Sequence, residues 1–431
     1  MPKMESGQQS FGNRRERTIA MILLILAGET IFMLPFMIAR IFRPTLLTVF
    51  EITNLELGLA FSGYGLVAVV SYVIGGPLAD RFPTNWLMCI AMVTTGIGGF
   101  YMYTIPDVIG LNWLFGAWGI TTILLFWAAL IKATRVWGGA TFSGRAFGLL
   151  DGGRGMYAAL IGTIGVALFA STVSGEGRIE RTDELVEAFR VVILAATVFT
   201  IGIGIIVGFG LKSPQGQKGA GIVWSDVKSI LRLPTVWLQS IIIICAYVGY
   251  KCSDDFSLYA NEVMLFDDVD SAKMSTLSYW IRPIGAISAG FLADRFTSVN
   301  MIIISFATMF IGASLFASGL VVDSTLLLFY TTLITTSLGL YALRGLYYAV
   351  MYEGHIPVRF TGTAVGIVAV IGYTPEIFMG PLMGYLLDSS PGLPGHRHVF
   401  TVLAIFCVIG MIAALLYRRI AGKMALGDEM E

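Results

Sequence analysis

Gly76-Pro77-Leu78-Ala79-Asp80-Arg81-Phe82 recurs 214 residues later as Gly290-Phe291-Leu292-Ala293-Asp294-Arg295-Phe296. Each copy closes the second apolar stretch of its half, so the chain is an internal duplication. Gly76 and Gly290 lack a side chain and would let neighbouring helices approach closely. Asp80 and Asp294, each followed by an arginine (Arg81, Arg295), can cap a helix or pair across a mouth between halves. A tight turn with solvated charges explains a single copy equally well, and the second copy argues for a gate.

The surroundings of both phrases are apolar. Hydrophobic residues make up 56% of the 431 positions and charged residues 13%, which is more than a soluble core of this length needs and places the bulk of the chain in lipid. Windows of about 20 residues, enough for roughly 30 Å of hydrocarbon, give six segments at 18–39, 58–79, 86–104, 111–131, 147–171 and 189–211. Six more follow at 235–256, 272–293, 299–320, 326–347, 361–386 and 399–417. The expected fold is therefore an all-α integral membrane protein, with twelve transmembrane helices in two six-helix bundles. A tail (1–17) precedes the first bundle (18–211), a linker (212–234) with a possible short surface helix over 223–231 follows it, and the second bundle (235–417) ends in a tail (418–431).

Of the 28 lysines and arginines, 17 fall in loops and tails on the side of the N-terminus and 5 in loops on the other, which predicts cytoplasmic termini. The first apolar segment runs straight into further helices and shows no small-residue cleavage site, so it reads as a mature helix. A multi-pass protein of a bacterial inner membrane is the expected localisation.

Formal net charge is zero and the basic residues are dispersed, which argues against nucleic acid as a partner. Cys89, Cys245, Cys252 and Cys407 lie in apolar segments without metal-like spacing, so packing is their expected role. His396 and His398, among Pro391, Pro394 and Gly395, read as a solvated outer turn, and His355 falls in an inner loop. The chain has no phosphate-cradling Gly-x-x-x-x-Gly-Lys-Ser/Thr loop, nucleophile and base pair, metal cluster or cofactor loop. Neither an enzyme nor a bound cofactor or metal is expected, and any movement of solute would draw on gradients.

The doubled Gly-x-Leu-Ala-Asp-Arg phrase between the second and third helices of each half resembles the signature loop of the major facilitator superfamily. That pattern continues with a glycine and basic residues, whereas Pro83-Thr84-Asn85 and Thr297-Ser298-Val299 follow here. Gly144-Arg145-Ala146-Phe147-Gly148-Leu149-Leu150-Asp151-Gly152-Gly153-Arg154-Gly155 resembles the fifth helix of the YihN-like branch, which is similar to organophosphate/phosphate antiporters. Leu34-Pro35, Thr53-Asn54 with Gly58, Lys132 with Arg135, Arg344, Ile371-Gly372-Tyr373 with Pro375, and Gly384-Tyr385 with Asp388 extend the likeness along nearly the whole chain. The resemblance implies a secondary transporter working by alternating access, commonly as a monomer, without naming its substrate.

An ionisable group within a membrane helix costs a few kcal/mol unless paired or hydrated, so each is a site candidate. Arg282 precedes Asp294 by 12 residues, about 18 Å along a helix, which predicts mid-membrane placement. The adjoining Pro283 should kink that helix, and Tyr279 lies one turn away. Lys251 and Arg40 match, by the resemblance, the basic residues that phosphate-exchanging relatives place on helices seven and one. The competing readings are a carboxylate lock for Arg282, a local pair with Asp254 or Asp255 for Lys251, and a snorkelling charge for Arg40. Lys132, Arg135 and Arg344 stand toward the inner ends of helices four and ten, where they could meet an anion or serve as positive-inside anchors. Asp151 and Arg154, spaced i to i+3, read mainly as a structural or gating pair.

Glu29 and Glu376, roughly mid-membrane, are candidate proton carriers with Asp255 beside them, because a carboxyl's protonation responds to burial and to nearby cations. Against this, Glu29 reads equally as a structural hydrogen-bond partner or as the offset of Arg282 or Lys251. The expected function is transport of a small organic anion, a phosphate ester, sulfonate or carboxylate, by antiport or proton symport. Besides the bilayer, the partners would be the anion and either protons or a counter-anion. Two alternatives remain. One is a membrane solute sensor that does not transport. The other is a carrier of neutral or cationic solutes whose basic residues are all paired internally.

Overall fold

The computed structural model describes residues 14–138, 143–173, 182–212, 230–351, 353–354 and 361–428. The described residues form helices and turns, without a strand. The first half holds α1 (Arg15–Ile41), α2 (Asn54–Arg81), α3 (Thr84–Tyr103), α4 (Val108–Gly138), α5 (Ser143–Thr172) and α6 (Thr182–Gly210). The second holds α7 (Pro234–Glu262), α8 (Asp268–Phe296), α9 (Ser298–Ser318), α10 (Leu326–Leu346), α11 (Thr361–Gly372 and Pro375–Ser389) and α12 (Leu393–Asp428). Eleven of these are long and apolar enough to cross a membrane. The twelfth, α8, has 29 residues and a length of about 43 Å, but its charges, Lys273 and Arg282 among them, lower its hydropathy. His355 and most of the helix expected over 223–231 lie outside the described residues.

The face where α1 begins and α12 ends is called the terminal face below, and the opposite one the far face. Three helices start at the far face on polar caps that satisfy otherwise free amides. Thr53 and Glu56 form a reciprocal capping box at α2, Asp107 accepts from the Gly110 amide at 2.9 Å, and Asp267 accepts from the Asp270 amide at 2.7 Å. Each half has its own buried apolar core, around Leu34, Phe115 and Phe189 in the first and Ile243, Phe306 and Phe400 in the second. Ala272 and Tyr279 of α8 extend into the first of these, so α8 is where the bundles interlock.

The bundles touch along α2 with α11 and α5 with α8. At the far half of the α2–α11 seam the approach is backbone to backbone. A Cβ on Gly58 would overlap the Gly380 carbonyl, one on Gly384 would overlap Leu55, and one on Gly65 would press on the Glu376 backbone at 2.9 Å. Polar ties reinforce this end. The Asp388 carboxylate accepts from the Asn54 amide at 3.2 Å and the Leu55 amide at 2.7 Å, capping α2 from the other bundle. Thr45 donates to Asp268 at 3.0 Å, and the hydroxyls of Ser257 and Ser275 donate to the Arg40 carbonyl at 2.9 and 3.1 Å.

Toward the terminal face the contacts stop. A Cβ added to Gly76, Gly148, Gly152, Gly290 or Gly366 would meet nothing within 4 Å. The close approach expected at Gly76 and Gly290 is therefore not made in this conformation, because the terminal halves of these helices stand apart while the far halves are shut. A second correction concerns His396. It lies in α12 rather than in a solvated turn, since Gly392, at φ +74°, completes the turn just before Leu393. Its ring is fully buried, with Nδ1 2.7 Å from Asp255 and Nε2 3.2 Å from Glu262.

Gly58→Ala tests the far-face seam. Overpacking of this kind costs about 1–3 kcal/mol, so the far-face-closed state should lose between about fivefold and 150-fold in population. Pulsed spin-label distances between exposed Ile109 and Leu327 should lengthen. An unchanged distance distribution would show that the glycine contact does not hold this end shut.

Candidate functional site

Among the described residues, nine charged side chains from six helices converge between the bundles, and eight of them are ion-paired in two groups. In the first, Glu29 on α1 bridges the halves: its two oxygens lie 3.1 Å from Arg154 of α5 and 3.1 Å from Arg282 of α8. Arg282 also reaches Asp151 at 3.4 Å, and Arg154 stands 4.0 Å from the same carboxylate. In the second, Arg40 of α1 pairs with Asp254 of α7 across the interface. Lys251 lies 3.3 Å from Asp254 and 3.0 Å from Glu376 of α11. The Tyr247 hydroxyl donates to the other Glu376 oxygen at 2.6 Å.

Local sequence explains how these groups reach one level. The i to i+3 spacing of Lys251 and Asp254 sets them on one face of α7, and a tight turn at Ser253–Asp255 re-aims the carboxylates. α11 breaks at Tyr373 and Thr374 before Pro375, which has no amide to donate. Glu376 then falls in the first turn of the new segment, where the helix end favours a negative charge. α8 stays helical through Pro283. Gly155 leaves room for the Arg282 side chain, whose Cγ is 3.2 Å from where a Cβ would be.

Aromatic rings take up part of the cationic charge. The Lys251 ammonium lies 4.4 Å from the Phe61 ring centre and 5.2 Å from that of Phe36. Arg40 is buried, with 3% exposure, and donates to the Tyr279 hydroxyl at 3.1 Å, so it does not snorkel to the surface. Its Cζ stands 4.1 Å from the Tyr250 ring centre, and the Cζ of Arg344 approaches the same ring at 3.9 Å.

Arg344 is the ninth group. Among the described residues no carboxylate pairs with it, and its Nη1 is buried without a hydrogen-bond partner. It lies in the last turn of α10, which stops at Leu346, and a Cβ on Gly345 would come within 3.2 Å of the backbone of Ala286, one turn beyond Arg282 on α8. Irregular backbone beyond such a helix end is tolerated in a membrane protein where it is covered by protein or lines a hydrated cavity.

The other candidates lie elsewhere. Lys132 donates to the Ala79 carbonyl at 2.8 Å and pairs with Asp80 at 3.1 Å at the terminal face. Arg81, Arg135 and Arg295 are exposed there, and the Asp294 side chain lies outside the described residues. Asp255 belongs with His396 at the far side. Two groups that reasoning from sequence passed over are Tyr250, which reads as packing in an apolar helix, and His396, hidden by the prolines and glycines before it.

The Glu29–Arg282 pair supplies a sharp test. Arg282→Gln leaves the buried Glu29 with Arg154 alone and should lower stability by about 1–3 kcal/mol. The double variant with Glu29→Gln should lose less than the sum of the single changes, by more than about 1 kcal/mol. Additive losses in melting experiments would mean that the pair does not couple the bundles.

Residues 18–374 match the family model of the Major Facilitator Superfamily. The chain is 25% identical over 412 residues to the inner membrane protein YihN of Escherichia coli (strain K12), covering 93% of this chain and 95% of that one. It is 26% identical over 425 residues to the inner membrane protein YqcE of the same strain, covering 95% and 96%. Among solved structures, a bacterial homologue of the human lysosomal transporter Spinster, inward-facing and unoccupied, superimposes with a TM-score of 0.73. That likeness covers 96% of this chain and 99% of the other at 16% identity, and so speaks to fold. With a family match over most of its length and two bundles arranged around a shared charged centre, the chain belongs to the Major Facilitator Superfamily and is a transporter rather than an enzyme.

Proposed function

We propose that this transporter carries a small organic anion across a bacterial inner membrane by alternating access, and that Arg344 meets the anion's charge. The Nη1 of Arg344, buried without a hydrogen-bond partner, carries the reading. A half-buried cation with no carboxylate in ion-pair contact is costly, and a bound carboxylate, sulfonate or phosphate would supply one through paired hydrogen bonds. Support for the membrane comes from YihN and YqcE, both named inner membrane proteins. The excess of basic residues around the terminal face supports cytoplasmic termini. With that orientation the conformation is inward-facing, as the Spinster homologue is titled.

In this reading Arg282, Lys251, Arg40 and Tyr279 form the charged frame around the anion, and Lys132 with Asp80, Arg81, Gly76, Gly290, Asp294 and Arg295 belongs to the terminal-face gate. Asp151 and Arg154 couple that frame to α5. Glu29 and Glu376 each hold cations that an incoming anion would compete for, which suits proton symport. An antiporter would instead pass the same cations from one anion to the next. Asp255, bound to His396, is a more remote proton carrier.

One observation favours a second reading. Arg282, Lys251 and Arg40 are all paired with carboxylates, as a carrier of neutral solutes would have them, with Arg344 resting on the Tyr250 ring. A thermal-shift series separates the two. At 100 times its Kd a ligand stabilises the native state by about 2.7 kcal/mol. Small anions should raise the melting temperature of the wild-type protein and not of Arg344→Gln, and anion uptake into vesicles should fall with it. Stabilisation by neutral sugars alone would overturn the anion reading.

A further inference from the structure

Among the described residues the charged centre contains five cations, Arg40, Arg154, Lys251, Arg282 and Arg344, and four carboxylates, Glu29, Asp151, Asp254 and Glu376. Every carboxylate has a cationic partner within 4.0 Å, so the excess of one positive charge resides on Arg344. One negative charge balances the set. A second would sit uncompensated among groups already withdrawn from water.

What surrounds Arg344 is phenolic. The Tyr250 ring of α7 lies 3.9 Å from its Cζ, and Tyr247 of α7, Tyr347 beyond α10, Arg282 and Asp151 are near enough to act on its charge. These rings continue into a cluster. The Tyr373 hydroxyl lies 3.0 Å from that of Tyr348 and 3.5 Å from that of Tyr347. The Tyr373 ring centre is 5.0 Å from that of Tyr247 and 6.2 Å from that of Tyr72 on the other bundle. A tyrosine wall offers flat apolar faces edged by groups that both donate and accept hydrogen bonds. It suits a ring with hydroxyl substituents better than a short chain.

We infer that the substrate is a singly charged anion carried on a hydroxylated ring, a sugar acid rather than a phosphate ester dianion, with its charge on Arg344 and its ring on the tyrosines. This rests on the anion reading above and narrows it. The charge of the ligand decides the affinity and the ring decides the selectivity. Tyr373, whose hydroxyl joins two others, is the position that fixes the ring.

Binding of four probes to the full-length protein tests this: glucuronate, glucose 6-phosphate, lactate and glucose, each at pH 5 and pH 8. A phosphate monoester loses its second proton near pH 6, so its singly charged fraction drops roughly 100-fold between those values. Glucose 6-phosphate should weaken by a factor of that order at pH 8, while glucuronate, singly charged throughout, reports any change in the protein itself. Tyr373→Phe should weaken glucuronate about fivefold, the loss of one hydrogen bond, and leave lactate unaffected. Glucose 6-phosphate binding as well at pH 8 as at pH 5, relative to glucuronate, would overturn the single-charge inference and leave the anion reading standing. Lactate equal to glucuronate would overturn the ring. Glucose binding as well as glucuronate would remove the anion reading itself, and no binding by any probe would exclude this substrate class.

Discussion

The arrangement depends on one constraint: charges gathered at the middle of a membrane protein must neutralise one another. Each isolated ion there would cost several kcal/mol after relaxation, so nine are tolerable only as a lattice in which partners are shared. Glu29 serves two arginines and Lys251 serves two carboxylates. Because Arg282 and Arg40 find their partners in the opposite bundle, the same lattice fixes how the halves meet. The backbone contact of Gly58 with Gly380 follows from that register, since no side chain fits between helices held so closely.

The architecture was readable from sequence because it rests on local patterns. The doubled Gly-x-Leu-Ala-Asp-Arg phrase located the halves, and apolar windows located the helices to within several residues. Charges at mid-membrane were also plain, since Arg282, Lys251, Glu29 and Glu376 interrupt apolar runs. That Glu29 offsets Arg282 was one of several open readings, because the two are 253 positions apart and no local rule chooses among the partners. Arg344 was found near the end of α10, but that its Nη1 would be buried without a partner was not legible, since that depends on which helices pack beside it. His396 was misread for a related reason: turn-forming residues before it mark the loop correctly, but burial is decided by Asp255 and Glu262 on α7.

The two halves, though duplicates in sequence, have diverged in structure at the centre. In the first, α4 runs on through a wide, π-helical stretch at Ile120–Trp127, while α1 turns at Ile31 and Phe32 and then widens in the same way at Met33–Met37. Such stretches often mark functional regions. In the second, the helices break: α7 at Ser253–Asp255, α10 after Leu346 and α11 at Tyr373 and Thr374. Breaks release backbone and turn side chains inward, and the tyrosine cluster with Arg344 lies among them. The division suggests that the second half supplies most of the recognition surface and the first half supplies counter-charges.

That division bears on how the bundles could part. Within the first half the central charges are Glu29, Asp151, Arg40 and Arg154, which balance. Within the second they are Lys251, Arg282, Arg344, Asp254 and Glu376, which leave one positive charge. If the far face opened, Arg40 would leave Asp254. If the bundles separated at Arg282, Glu29 and Asp151 would have to share Arg154, which already lies 3.1 and 4.0 Å from them. Arg282 would then join Arg344 as a second cation without a counter-charge. An anion between the two would offset part of that loss, which makes occupied protein the form best able to change state. On the anion reading proposed above, coupling of ligand binding to rocking would need no separate device, because it would follow from which cations the parting bundles leave unpaired.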